Sequence, residues 1–287
     1  MNTAFVAGVE EMAMPGVILA VVESPGAVVP VLAGAQLLAE LTGTARVNVL
    51  AIRVPPIATI MPTEEVLTPE RESRIRAVEQ ARVAALRQAY DAWAAAARKA
   101  GLEPEWFDIE ARADEAVKEW GGRADFIVLK RPWHHDPEPE RQALHAALFD
   151  TDRPVLVIPP EGPPRTFGRR VAIAWRDDNR TVRSVLAALR WLGRAERIHV
   201  LAGAQEGAPA PRLPDILVEH RVEADLHVLP VTGQRVFGEV LLAKAHELGA
   251  DLLVMGAFVH HPARTLLLGG VTRYMLSHAD LPVFMRH

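Results

Sequence analysis

The sequence predicts an α/β chain of two tandem domains, each a five-stranded, mainly parallel sheet flanked by helices in a Rossmann-type arrangement. Three observations carry that expectation. Short apolar runs alternate with longer segments of helical period, the pattern of parallel strands joined by crossover helices. The alternation stops at Pro159-Pro160-Glu161-Gly162-Pro163-Pro164, which neither a helix nor a central strand can absorb, and then starts again. The two series also resemble each other residue by residue, as an internal duplication would.

The first series of expected strands is Val17–Val22, Val47–Val54, Trp106–Glu110, Phe126–Leu129 and Val155–Ile158. The second is Val171–Trp175, Ile198–Ala202, Leu226–Val231, Leu252–Met255 and Val283–Met285. This places the domains at 1–160 and 165–287. Ala124-Asp125-Phe126-Ile127-Val128 reads like Ala250-Asp251-Leu252-Leu253-Val254 at an offset of 126. Asp152-Arg153-Pro154-Val155 reads like Asp280-Leu281-Pro282-Val283 at an offset of 128, and Val17 to Ala20 like Val171 to Ala174 at 154. The first half is therefore longer by about 28 residues, inserted between its second and third strands. That insert opens with the apolar loop Pro55 to Pro62. Thr68-Pro69-Glu70 then supplies an N-cap and first turn. Ile75, Val78, Leu86, Ala89, Trp93 and Ala97 recur at roughly helical spacing to about Lys99, with Gly101 as the stop.

Composition narrows the function. The 287 residues are 49% hydrophobic and 24% charged, the make-up of an ordinary soluble protein. Thirty-two basic against thirty-six acidic residues give a net charge of −4 and no basic footprint, so no nucleic-acid partner is expected. The absence of cysteine excludes disulfides, thiolate zinc sites, iron–sulfur clusters and cysteine nucleophiles, and makes the cytoplasm the simplest address. Met1 to Pro15 carries Glu10 and Glu11 but no Lys or Arg, unlike the start of a secretory signal. The uncharged stretch Ser24 to Ala39 is broken by Pro25 and Pro30 and is expected to be too short and interrupted to span a membrane.

The usual catalytic signatures are missing: there is no phosphate loop of the G-x-x-x-x-G-K-[ST] type, no G-x-G-x-x-G, no H-E-x-x-H and no G-x-S-x-G. The four serines, Ser24, Ser73, Ser184 and Ser277, do not make a hydrolase triad. Adjacent histidines diverge, so His134-His135 and His260-His261 read as loop or interface residues, and no metal site is expected. What stands out is the stretch from Met255 to Leu276. There a buried strand ends at Gly256, a loop crosses the carboxyl edge of the sheet, and a helix begins at Gly269-Gly270. Unpaired N–H groups at that helix start, on residues without Cβ, let a phosphate approach the backbone, and Thr272 adds a hydroxyl. Open parallel sheets bind ligands at this edge.

These residues resemble the universal stress protein family, whose nucleotide-binding members carry G-x2-G-x9-G-[ST] between the fourth strand and the last helix. The strand Ala250-Asp251-Leu252-Leu253-Val254-Met255-Gly256, the segment Val271-Thr272-Arg273 and the ending His278-Ala279-Asp280-Leu281-Pro282-Val283 are similar to that family. The two halves together cover nearly all of the chain, as in its tandem members. The resemblance implies a sheet of the adenine nucleotide alpha hydrolase type. It also implies a stress-linked regulator that binds ATP or a related adenine nucleotide in its second domain, with Mg²⁺ accompanying ATP.

Residue by residue, Gly256 matches the first glycine of the motif and Gly269 the third. Val259 stands at the second glycine and Gly270 at the Ser or Thr. Val271 and Thr272 match the following positions, and Met255 and Val200 those flanking the adenine. The acid that the family often has after a domain's first strand is replaced by Arg176, with Asp177 beside it to take that role. In the first half Lys130-Arg131-Pro132-Trp133 is followed by no glycine pair, so no nucleotide site is expected there, and these residues are read as an anionic-ligand or partner-facing surface. The halves are expected to pair as a pseudo-dimer within the chain, with a homodimer possible. No residue presents itself as a general base, so any ATPase activity would be slow. The rival readings are a dimerising interaction module without nucleotide and a nucleotidyltransferase-type enzyme. The latter needs a glycine-rich loop after a domain's first strand, which Val21 to Gly26 and Trp175 to Arg180 lack.

Overall fold

The computed structural model describes residues 16–59, 68–132, 138–231, 234–257, 259–260, 267–268 and 270–287. All ten expected runs form strands, most of them extended by one to three residues. They are β1 (Val17–Val22), β2 (Arg46–Arg53), β3 (Glu103–Glu110), β4 (Phe126–Lys130) and β5 (Val155–Ile158), then β6 (Arg170–Trp175), β7 (Arg197–Ala204), β8 (Asp225–Pro230) and β9 (Leu252–Gly256). A short antiparallel pair follows, β10 (Val259–His260) with β11 (Leu267–Leu268), and β12 (Val283–Arg286) ends the series. The helices are α1 (Pro25–Thr42), α2 (Pro69–Lys99), α3 (Ala113–Gly121), α4 (Glu138–Phe149), α5 (Asn179–Leu192), α6 (Asp215–Glu219), α7 (Gln234–Glu247) and α8 (Gly270–His278).

The ten main strands make one sheet in the order β3-β2-β1-β4-β5-β12-β9-β6-β7-β8. Within each half, every pairing of these ten strands is parallel. The halves join through one antiparallel pair, β5 on β12, with Leu156 opposite Phe284. Alternate strand residues point to opposite faces, so Ile18, Ala20 and Val22 join the apolar layer under α1, α2, α5 and α6. Leu19 and Val21 join the layer under α3, α4, α7 and α8. Both layers run through both halves. Phe284 meets Phe126 of the first half at 6.2 Å between ring centroids and Trp191 of the second at 5.6 Å.

The repeated Ala-Asp phrase has a structural role at the amino edge of the sheet. Asp125 accepts from the Val17 amide at 2.7 Å, and Asp251 accepts from the Arg169 and Arg170 amides at 3.3 and 3.2 Å. Each aspartate ties the loop before the fourth strand of a half to the start of the first. Burial pushes the Asp251 carboxyl above the usual carboxylate range, with those amides pulling the other way.

Three expectations change. Pro25 sits in the first turn of α1, where its missing N–H costs nothing, and the helix continues through Pro30. By length and composition alone α1 is able to cross a membrane. Here Val28, Val31, Leu32, Ala35 and Leu38 are buried against the sheet. In α2, Thr68 caps the start by accepting from the Arg71 amide, and Gly101 beyond the end has φ of 88°, as read from the sequence. Its buried stripe, however, is Val83, Leu86, Tyr90, Ala94 and Ala97, and Val78 is 62% exposed. Finally, Lys130 and Arg131 do not face a partner: both are buried. Lys130 pairs with Glu140 of α4 at 3.1 Å, and Arg131 donates to the Ser277 carbonyl in the last turn of α8 at 2.7 Å.

Candidate functional site

Three strands of the second half end at the same edge. β6 passes into Trp175-Arg176-Asp177-Asp178, β7 ends at Ala202-Gly203-Ala204, and β9 ends at Met255-Gly256. Asp178 is committed to α5: its carboxylate accepts from the Arg180 and Thr181 amides, both at 3.0 Å, and so caps that helix. Asp177, one residue earlier, is exposed and faces the space between the strand ends. The turn therefore divides its two acids between capping and the cavity.

That space is a cavity of about 850 Å³. Its floor is Ala174, Ala202, Gly203 and Met255, and Val231, Phe237 and Leu241 form an apolar wall. The loop from Gln205 to Asp215, rich in Pro and Ala, makes another wall, and the first turn of α8, Gly270-Val271-Thr272, closes the far side. Gly203 is required by packing: a Cβ there would stand 2.6 Å from Val231 Cγ2 and 2.9 Å from Phe237 Cζ. Arg176 is 67% exposed, 3.3 Å from Asp178, and Arg212 lies 3.3 Å from Asp215. Each guanidinium on the cavity wall thus has a carboxylate neighbour.

Residues 178–287 match the family model of the universal stress protein family. Residues 178–287 form a universal stress protein domain. Over nearly its whole length the chain is similar in fold to a universal stress protein from Archaeoglobus fulgidus, with a TM-score of 0.65 and 14% identity over 95% of this chain and 96% of that one. It is also similar to a protein of unknown function from Pseudomonas aeruginosa PAO1, with a TM-score of 0.57 and 15% identity over 96% and 92% of the two chains. At such identities the likeness is one of fold. No curated protein matches the chain significantly.

The cavity, formed between that domain and the end of β6, brings together six residues singled out in the sequence: Arg176, Asp177, Met255, Gly270, Val271 and Thr272. Val200 stands apart. It is fully buried with Val185 and Leu217 under α5 and α6, two residues and about 6.6 Å short of Ala202 along the strand. Gly256 is buried at the end of β9, where it pairs with Arg286, and is not part of the lining. The backbone of Val259 lies in β10 opposite Leu268, an extended conformation that valine suits. Gly269, Arg264, His261, Trp133, His134 and His135 lie outside the described residues.

Gly203, Trp175, Phe237 and the 205–215 loop also line the cavity, beyond the residues expected from the sequence. A glycine near the end of a strand was the available signal, since it marks a close approach to the backbone. Outside the cavity, His199 on β7 and His227 on β8 meet at 3.2 Å, with Asp225 at 3.6 Å from His199. Burial, and then the neighbouring His227, hold the His199 imidazole below the usual histidine range. His246, in the last turn of α7, pairs with Asp280 at 2.6 Å. Among the described residues no group of three or more side chains is arranged to hold a metal ion.

Proposed function

We propose that the universal stress protein domain binds ATP or a related adenine nucleotide in this cavity and that occupancy regulates a stress response. The observation that carries the reading is the lining. Apolar Met255, Val231, Phe237 and Leu241 offer a slot for a flat base, while the first turn of α8 offers backbone N–H groups to phosphate oxygens. A volume of about 850 Å³ suits a ligand of that size. Asp177 is the acid that would meet the nucleotide, in the stead of the residue that Arg176 replaces. Mg²⁺ would arrive on the phosphates, with Asp177 and Asp215 the carboxylates of the lining. The reading needs no catalytic step, and it accords with a cytoplasmic address.

A second reading is an interaction module of the same fold that dimerises without nucleotide. It draws on Val218 of α6, Val228 of the edge strand β8 and Val236 of α7, apolar side chains between 49% and 61% exposed. Equilibrium titration of the purified protein with ATP, read by tryptophan fluorescence because Trp175 lines the cavity, separates the two. Mass spectrometry of ligand released on denaturation would identify the occupant. No saturable ATP signal and no co-purified nucleotide would sink the first reading.

A further inference from the structure

The duplication lets the cavity of the second half be located in the first. At an offset of 154, Asp177 corresponds to Glu23. The strand registers, in which Ile18 pairs with Val47 and Ala172 with His199, make Ala204 the counterpart of Ile52. Asp177 and Ala204 both line the open cavity. In the first half the carbonyls of Glu23 and Ile52 instead accept hydrogen bonds from one guanidinium, that of Arg82 on α2. Glu79, one turn earlier, accepts from Arg82 Nε at 3.1 Å and Nη2 at 2.7 Å, and from the Val54 amide at 3.2 Å. Both side chains are about one-fifth exposed. The long helix that the sequence inserts only in the first half thus delivers a planar cation to the strand ends where the second half keeps space.

We propose that this edge is a guanidinium-binding site occupied in the native chain by Arg82, a tethered ligand that closes the first half without any diffusible one. Two backbone carbonyls and a carboxylate, arranged around a fork of coplanar donors, suit a guanidinium and neither a phosphate nor a compact ammonium. Arg82 is accordingly a positioning residue that clamps α2 across β1 and β2. Nothing in this inference depends on nucleotide binding by the second half.

Removal of the side chain with chemical replacement tests it. Arg82→Ala is expected to lower Tm by roughly 5 °C. Guanidinium chloride at about 10–50 mM should then raise the Tm of the variant by roughly 1–2 °C while leaving that of the parent chain flat or slightly lowered. Matched NaCl, urea and ATP should not reproduce the gain. No gain with guanidinium, or an equal gain with NaCl or urea, overturns the proposal. A gain with ATP alone overturns it in favour of a hidden nucleotide site. Should Arg82→Ala fail to fold, Arg82→Lys keeps the charge but not the fork. It is expected to melt several degrees below the parent chain, and an unchanged Tm would be fatal to the idea.

Discussion

The two halves share one topology and differ at one edge. Where β4 of the first half ends on Lys130, β9 of the second ends on Gly256. Where β2 carries Ala51 and Ile52, β7 carries Gly203 and Ala204. The first half fills its edge with the buried Lys130–Glu140 pair and with Arg82, whereas the second has a cavity of about 850 Å³. A ligand-sized space is thus made by subtracting side chains from a sheet whose strand order is unchanged. The filled copy shows what has to be added to close it.

The largest effect should come from breaking the filling of the first half. Glu140→Ala leaves Lys130 without its buried carboxylate partner and is expected to cost about 3 kcal/mol in urea unfolding. Replacing both, Lys130→Met with Glu140→Leu, should return stability to within about 1 kcal/mol. If the single and double variants are equally unstable, the pair is not what fills this edge.

Next comes the open edge. Gly270→Asp sets a carboxylate where a phosphate is proposed to lie and should weaken ATP binding at least about a hundredfold, with Tm nearly unchanged. Undiminished binding, measured by calorimetric titration, would move the phosphates elsewhere. Gly203→Ala places a methyl against Val231 and Phe237 and is expected to cost about 1.5 kcal/mol, whereas Ala51 already carries that methyl, buried, in the first half. A neutral Gly203→Ala would show that the wall of the cavity yields.

The smallest effect is one of pH. The folded state holds His199 below its usual pKa of about 6.5, so on acidification the unfolded chain takes up a proton that the folded chain refuses. The stability linked to His199 is therefore complete above about pH 6.5 and declines as pH falls from there towards the folded value. Asp225 opposes this shift, while His227, Arg197 and Lys244 reinforce it. His199→Asn should flatten the dependence of the urea midpoint on pH between about 7 and 5.5. An unaltered slope would assign that dependence to other groups.

The strands were legible because a buried parallel strand is a continuous apolar run, and the repeat supplied a second copy of each. The junction was not: nothing in Val155–Ile158 or Val283–Met285 tells which free edge each will seek, and only the docked halves set Leu156 opposite Phe284. For α2, the apolar residues gave the helix but not its face: Ile75 and Val78 fall outside the buried stripe, which starts at Val83 and ends at Ala97. At the site, Gly270 and Thr272 were legible through the glycine pair at the start of α8, and Met255 through the family resemblance. Val200 lies too deep along its strand to reach the cavity, and the 205–215 loop carries no spacing rule that announces a cavity wall.

The antiparallel seam has a consequence for the ends of the sheet. By joining β5 to β12 the chain seals both inner margins, leaving β3 and β8 as the outer borders. The first of these is studded with Glu103, Glu105, Asp108 and Glu110 and interrupted by Pro104, and the second opens on Asp225 and finishes on Pro230. Proline offers no donor to a further neighbour, and clustered carboxylates repel a like border. Among the described residues both outer borders thus oppose addition of a further strand to the ladder that welds the two halves.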